Sequence, residues 1–276
     1  MKRILITGAN GKVGRRLRHE IAACFECVRV MSRGPIADLL PREEAVTCDI
    51  TDIAAIQRAM EGIEGVLHLA AISDEAPWGP ILQTNIIGTY NLYEAARRQG
   101  VERVVFGSTY HVVGFYPRSQ VIDHTVPLRP DTRYALSKCW GEAVASLYAE
   151  KYGVRSLLIR IGNADDLPAD VRRLSVWISA RDLAQLVLIG FNHPEIHHEI
   201  VYGISNNAAA WHDNSAAFRL GYRPLDRAED YRDFALEGEK SVDHDPVDLY
   251  FQGGPFCADE YANWPLHPRE SNSSST

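Results

Sequence analysis

The chain has 276 residues, 46% of them hydrophobic and 24% charged, a balance that excludes fibrous and disordered polypeptides. Its formal net charge of -7 is spread along the sequence, so no basic stripe is present to track a nucleic-acid backbone. No apolar run reaches membrane-spanning length.

Residues 3–7, Arg-Ile-Leu-Ile-Thr, form a short apolar run that stops at glycine, and residues 12–23 follow with apolar side chains at helical spacing. This predicts strand, turn, helix. Short strands are expected at residues 28–31, 45–48 and 66–70, then a helix over 80–99, a strand at 103–106, a helix over 132–151 and a strand at 156–160. Strands alternating with helices imply an α/β fold with a doubly wound parallel sheet over residues 1–160. Residues 161–270 are expected to form a small substrate-binding lobe over the sheet's carboxyl edge, and the serine-rich residues 271–276 a disordered tail.

Cys24, Cys27, Cys48, Cys139 and Cys257 are too few and too scattered for a secreted disulfide framework. The Cys24-x-x-Cys27 pair lacks a second pair or a nearby histidine, so no metal is expected there. His193, His197 and His198 read as a surface loop. Met1-Lys2-Arg3 leads into too short an apolar stretch for a signal peptide, which predicts a cytoplasmic protein.

Three sets of residues carry chemistry. Gly8-Ala9-Asn10-Gly11-Lys12-Val13-Gly14 lies between the first strand and the first helix, where glycines let backbone N–H groups approach a pyrophosphate. A P-loop is excluded, because Lys12 comes too soon and no Ser or Thr follows it. Tyr134 and Lys138, in Tyr-Ala-Leu-Ser-Lys, sit one helical turn apart, so the ammonium can stabilise a phenolate and make tyrosine a general base. Gly107-Ser108-Thr109-Tyr110-His111 follows a strand and brings a hydroxyl to the sheet's carboxyl edge.

In this order the three sets resemble the short-chain dehydrogenase/reductase superfamily, in its extended branch, the NAD-dependent epimerase/dehydratase family. Asn85 matches that family's asparagine. A closer resemblance, to bacterial uronate dehydrogenases, runs through His68-Leu69-Ala70-Ala71-Ile72-Ser73, residues 85–95, 111–117 and 134–142, Arg160-Ile161-Gly162, Leu174-Ser175, Val201-Tyr202-Gly203, residues 211–214 and Phe251-Gln252-Gly253-Gly254.

The resemblance implies oxidation of the anomeric carbon of glucuronate, galacturonate or a related aldose to a lactone, with hydride passing to a nicotinamide cofactor. Tyr134 is then the base, Lys138 lowers its pKa and holds the nicotinamide ribose, Thr109 positions the reacting oxygen, and Asn85 supports the proton relay. The dinucleotide would lie against Gly8, Asn10, Gly11, Lys12, Val13, Gly14, Ser32, Arg33, Asp49, Ile50, Leu69, Ala70, Ala71, Tyr134, Lys138 and Ile161. Substrate contacts fall on Ser73, Thr109, Tyr110, His111, Tyr134, Asn163 and Arg172, the last a clamp for a carboxylate. Thr109, Tyr110 and Asn163 depart from the family's usual Ser, Asn and Ser.

At the end of the second strand Ser32 replaces the acidic residue of uronate dehydrogenases and Arg33 adds a cation, which favours NADP over NAD. A homo-oligomer built through the helices near 85–99 and 133–150 is expected, with no nucleic-acid or membrane partner. The alternatives are a sugar epimerase, a reductase of another small carbonyl compound, and a non-catalytic dinucleotide sensor.

Overall fold

The structure, a computed structural model, describes residues 1–263. In Arg3–Thr7 (β1), Ile4 and Ile6 face one side of the sheet and Leu5 the other, and all three are buried, as in a strand covered on both faces. Lys12–Ile21 (α1) turns Leu17 and Ile21 onto the Ile4 and Ile6 face. Cys27–Ser32 (β2), Glu43–Thr47 (β3), Ile53–Ala59 (α2) and Gly65–His68 (β4) complete the first half. Asp52 caps α2 by accepting from the Ala55 N–H at 3.0 Å.

The second half begins with a continuous helical stretch, Trp78–Ile81 (α3), a π-helical turn Leu82–Ile87, and Gly88–Gln99 (α4). Then come Arg103–Thr109 (β5), Arg133–Tyr152 (α5), Arg155–Ile161 (β6), Arg173–Val176 (α6), Ala180–Asn192 (α7) and His198–Gly203 (β7). The seven strands are ordered β3-β2-β1-β4-β5-β6-β7 and all pair in parallel. One core layer joins α1 and α7 to the sheet through Leu17, Leu183, Leu186 and Val187; the other joins α2, α4 and α5 through Ile56, Leu92, Val144 and Tyr148.

The sheet does not end at residue 160. α7 and β7 add a further crossover and strand, and His198 opens β7 rather than lying in a loop. β7 is an edge strand whose first three residues are only half-buried, so its sequence lacks the continuous apolar run that marks the inner strands. Within the remaining segment, Ser215–Arg219 (α8), Arg232–Glu239 (α9), Pro246–Tyr250 (α10) and Pro255–Ala258 (α11) are short helices. The expected tail at 271–276 lies outside the described residues.

The strand order reverses between β1 and β4, which opens a crevice at their carboxyl ends. Chain from the far end of the sequence closes over it. Arg118 donates to Asp248 Oδ1 at 2.9 Å, and Gln252 Nε2 donates to the Pro117 and Gln120 carbonyls at 3.0 and 2.7 Å. These contacts hold α10 and α11 against the segment that follows β5.

Candidate active site

At one end of the crevice the backbone does the building. Gly8 has φ +67°, and a Cβ there would stand 2.7 Å from the Ala70 nitrogen, so only glycine fits between β1 and the exit of β4. Thr7 Oγ1 accepts from the Leu69 and Ala70 N–H groups at 3.2 and 3.1 Å, fixing the two strand ends side by side. Gly11 caps α1 without any side-chain hydrogen bond, so the first-turn N–H groups of a ten-residue helix point into the crevice. A cavity of about 290 Å³ lies there, lined by Gly8, Asn10, Gly11, Ser32, Arg33, Ile50, Leu69, Ala70 and Ala71 among others.

At the other end side chains converge. A cavity of about 340 Å³ gathers Lys12, Val13, Leu69, Ala71, Ser73, Thr109, Tyr110, His111, Tyr134, Lys138, Ile161, Asn163 and Arg172. β5 delivers Thr109, the 3-10 turn Tyr110–Val113 that follows it delivers Tyr110 and His111, and the N-terminus of α5 delivers Tyr134 and Lys138. Thr132 caps α5, accepting from the Ala135 N–H at 3.0 Å, which fixes the azimuth of the tyrosine and lysine one turn apart.

Lys138 Nζ donates to the Gly107 carbonyl at 2.6 Å and lies 6.0 Å from the Tyr134 ring centre. Burial lowers its pKa to about 8 against the opposing pull of Glu142. Burial also pushes the Tyr134 phenol up, while the neighbouring Thr109 hydroxyl pulls it down. Arg172 Nη1 donates to the Tyr110 phenol oxygen at 2.5 Å. Burial opposes the Arg172 charge, and Tyr110 and Asp248 outweigh it, so the guanidinium stays protonated in the cavity.

Three expected residues stand elsewhere. Gly14 faces the Gly8 carbonyl, which a Cβ would strike, so it packs α1 onto β1 and does not line either cavity. Asn85 lies behind the cavity wall in the π-helical turn: its amide donates to the Ile72 carbonyl at 3.0 Å and Ser137 Oγ at 2.8 Å, and its Oδ1 accepts from Ile72 N at 2.9 Å. Its side chain holds the wall that carries Ile72 and the helix that carries Tyr134. Asp49 folds back on Thr51, accepting from its N–H and hydroxyl at 2.8 Å each, and does not line the 290 Å³ cavity.

Two expected contacts are tied up by neighbours. Lys12 pairs with Asp165, which also accepts from Asn163 Nδ2 at 3.1 Å, so the glycine turn is clasped to the loop after β6. Asn163 lines the cavity, but its Oδ1 is buried and has no partner among the described residues. Asn10 donates to the Pro35 carbonyl at 3.0 Å, bracing the loop after β2.

Sequence reading missed Asp131, Asp165 and Phe256. Phe256 stacks on His111 with ring centroids 4.3 Å apart, yet it comes from α11, 145 positions away in sequence (256 minus 111). The nearby Gly253-Gly254 pair was the available signal: a Cβ at Gly254 would lie 2.7 Å from Arg172 Nε.

The donor set fits a nicotinamide dinucleotide. A helix N-terminus without a side-chain cap faces an elongated crevice, and a buried ammonium with a single acceptor among the described residues lies beside a buried phenol at its far end.

The comparisons agree with this geometry. Residues 4–164 match the model of the NAD dependent epimerase/dehydratase family. The uronate dehydrogenase of Pseudomonas putida is 41% identical over 256 residues, covering 92% of this chain and 95% of that protein. Among solved structures, glucuronic acid dehydrogenase from Chromohalobacter salexigens superposes with a TM-score of 0.89 at 40% identity, covering 93% of this chain and 97% of the other. A variant of the Agrobacterium tumefaciens uronate dehydrogenase complexed with NAD gives a TM-score of 0.89 at 41% identity, covering 94% and 97%. The chain is an oxidoreductase of the NAD dependent epimerase/dehydratase family, in the branch that holds the uronate dehydrogenases.

Proposed function

We propose that the protein oxidises the anomeric carbon of a uronate, such as glucuronate or galacturonate, to the lactone with a nicotinamide cofactor. One observation carries the reading: Thr109, Tyr134, Lys138 and the guanidinium of Arg172 line one cavity, which sets base chemistry beside an anion clamp. The relatives named above supply the substrate class.

Thr109 Oγ1 accepts from the His111 N–H at 3.3 Å, and its hydroxyl, beside the Tyr134 phenol, holds the reacting sugar oxygen. Tyr134 removes the proton from the anomeric hydroxyl. Lys138 favours the phenolate through its charge and donates its remaining hydrogens to the ribose. When bound, the oxidised nicotinamide ring supplies the hydride acceptor at the anomeric carbon and a positive charge that also favours phenolate. Arg172 holds the far carboxylate, because a planar guanidinium retains donors after its bond to Tyr110. Asn85 supports the relay at one remove, by fixing Ile72 and Ser137. A screen of uronates and neutral aldoses with both cofactors tests the reading; turnover of aldoses alone would defeat the uronate assignment.

The preference for NADP over NAD belongs to this proposal. The residues lining the adenosine-side cavity include no carboxylate, and Arg33 is their one cation. Ser32 Oγ accepts from the Gly34 N–H at 3.4 Å, leaving its proton for a ribose or phosphate oxygen. Asp49 plays no direct part here.

Homo-oligomer formation through α4 and α5 is also proposed. Ile87, Tyr90, Leu136, Trp140 and Leu147 are exposed large apolar side chains along the π-helical turn, α4 and α5. Light scattering on Trp140→Glu tests it: a wild-type monomer, or an unchanged oligomer in the variant, would count against this face. No described helix is long and apolar enough to cross a membrane. Cytoplasmic residence is proposed with the activity and is tested by cell fractionation.

A further inference from the structure

His111 is held on several sides. Its ring lies against Tyr110 and Phe256, with centroids 4.2 and 4.3 Å away at interplanar angles of 37° and 30°. Its Nδ1 is 2.6 Å from Asp131 Oδ2, and the Asp131 side chain is 0% exposed. The other carboxylate oxygen, Oδ1, accepts from the Thr132 hydroxyl at 3.1 Å, and Thr132 is the cap of the helix that bears Tyr134 and Lys138. Gly114 and Gly253 press on the carboxylate so closely that a Cβ at either would strike it. Asp131 therefore sits in a fitted slot, bonded both to a cavity side chain and to the base of the catalytic helix.

A carboxylate accepts hydrogen bonds and donates none, so the proton of this contact belongs to His111 Nδ1. In a neutral imidazole the other nitrogen, Nε2, is then a lone-pair acceptor. Nε2 makes no hydrogen bond to the protein among the described residues, and His111 lines the 340 Å³ cavity with Thr109, Tyr134 and Arg172. Arg172, Lys138 and the Thr109 hydroxyl all offer hydrogens to that space.

We infer that Asp131 is a positioning residue: it fixes His111 as the Nδ1–H tautomer, so that Nε2 accepts a hydrogen bond from a ring hydroxyl of the bound sugar acid. This rests on the function proposed above for its substrate and on the structure alone for its tautomer. The cavity then prefers sugars with a free hydroxyl opposite His111 to their deoxy counterparts. Asp131 touches no substrate atom itself and acts through His111.

Nitrogen-15 NMR of histidine-labelled, ligand-free protein tests the tautomer without any turnover, with His111→Phe assigning the signal. A wild-type Nε2 resonance typical of an unprotonated nitrogen is expected; a protonated Nε2 overturns the inference. Asp131→Asn keeps the size that the slot demands but can donate to Nδ1, so the Nε2–H form should appear, and its absence would contradict the account. In the same variant KM for glucuronate should rise about tenfold, the size of one lost hydrogen bond, with KM for the dinucleotide unchanged. Introduced into His111→Phe, Asp131→Asn should change KM for the sugar no further. An equal loss in both backgrounds, or a change in unfolding temperature with KM unaltered, would make Asp131 a structural residue only. If uronates are not turned over at all, the proposed function fails, while the NMR result still decides the tautomer.

Discussion

The two ends of the crevice are built in opposite ways. The end at the glycine turn is built largely by backbone: the turn after β1, the first turn of α1 and the exit of β4, with lining residues between 8 and 84. The other end is made of side chains from the start of α1, the loop after β4, β5, α5, the loop after β6, α6 and α11, spread over residues 12–256. A backbone site is fixed by local sequence and tolerates little variation. A side-chain site can be rebuilt one residue at a time, as Tyr110 on Arg172 illustrates, without disturbing the dinucleotide half.

The sharpest way to separate the halves is Tyr134→Phe. Removing only the hydroxyl should lower kcat by roughly 100 to 10,000-fold and leave dinucleotide affinity intact. Near-normal turnover would show that the base lies elsewhere. Arg172→Ala comes next: kcat/KM for a uronate should fall by an amount corresponding to about 1.5–3 kcal/mol, with little change for the neutral aldose. Equal losses on both would assign Arg172 a role in folding, through Tyr110 and the Gly254 turn.

Gly14→Ala probes the other half. Its methyl would meet the Gly8 carbonyl, so the helix must shift against the turn, at about 1–3 kcal/mol of stability, with weaker dinucleotide binding and an unaltered ratio of uronate to aldose activity. Denaturant melts and cofactor titration read both. A change in sugar selectivity would blur the division between the halves.

Lys138 allows a test by pH. Its pKa falls from 10.5 to about 8 because the folded protein disfavours the buried ammonium. The unfolded chain therefore binds more protons between these values, and stability rises with pH across them. In cofactor-free protein the urea midpoint of wild type should gain on that of Lys138→Met from about pH 8 to 10.5, whereas parallel curves would mean that the ammonium is not desolvated. The smallest effect belongs to Arg33→Ala, an exposed cation, which should shift the NADP to NAD ratio of kcat/KM by only a few fold, about 0.2–1 kcal/mol. An unchanged ratio would remove Arg33 from cofactor selection.

The contrast also explains what sequence could reveal. The glycine turn, the strands on both sides of it and the Tyr134–Lys138 pair were legible because each depends on residues within one turn or one strand of each other. β7 was not: as an edge strand it needs no continuous apolar run at its start, and it is held by pairing with β6. Asp131 and Phe256 were hidden for a related reason. Their importance arises only when the segment after β5 and α11 meet, an encounter set by the Arg118–Asp248 and Gln252 contacts. Asn85 was found by resemblance, but its side chain is saturated by Ile72 and Ser137, a role that only the geometry could reveal.

The central claim is that one cavity takes the proton from the anomeric hydroxyl and directs the hydride from the carbon that bears it. Glucuronate deuterated at that carbon, incubated with the protein and oxidised dinucleotide, tests it directly. The account predicts one deuterium in the reduced nicotinamide for each lactone formed, and no measurable transfer over the same interval with Tyr134→Phe. Deuterium retained on a sugar isomerised elsewhere on the ring, with no net reduced dinucleotide, would contradict it.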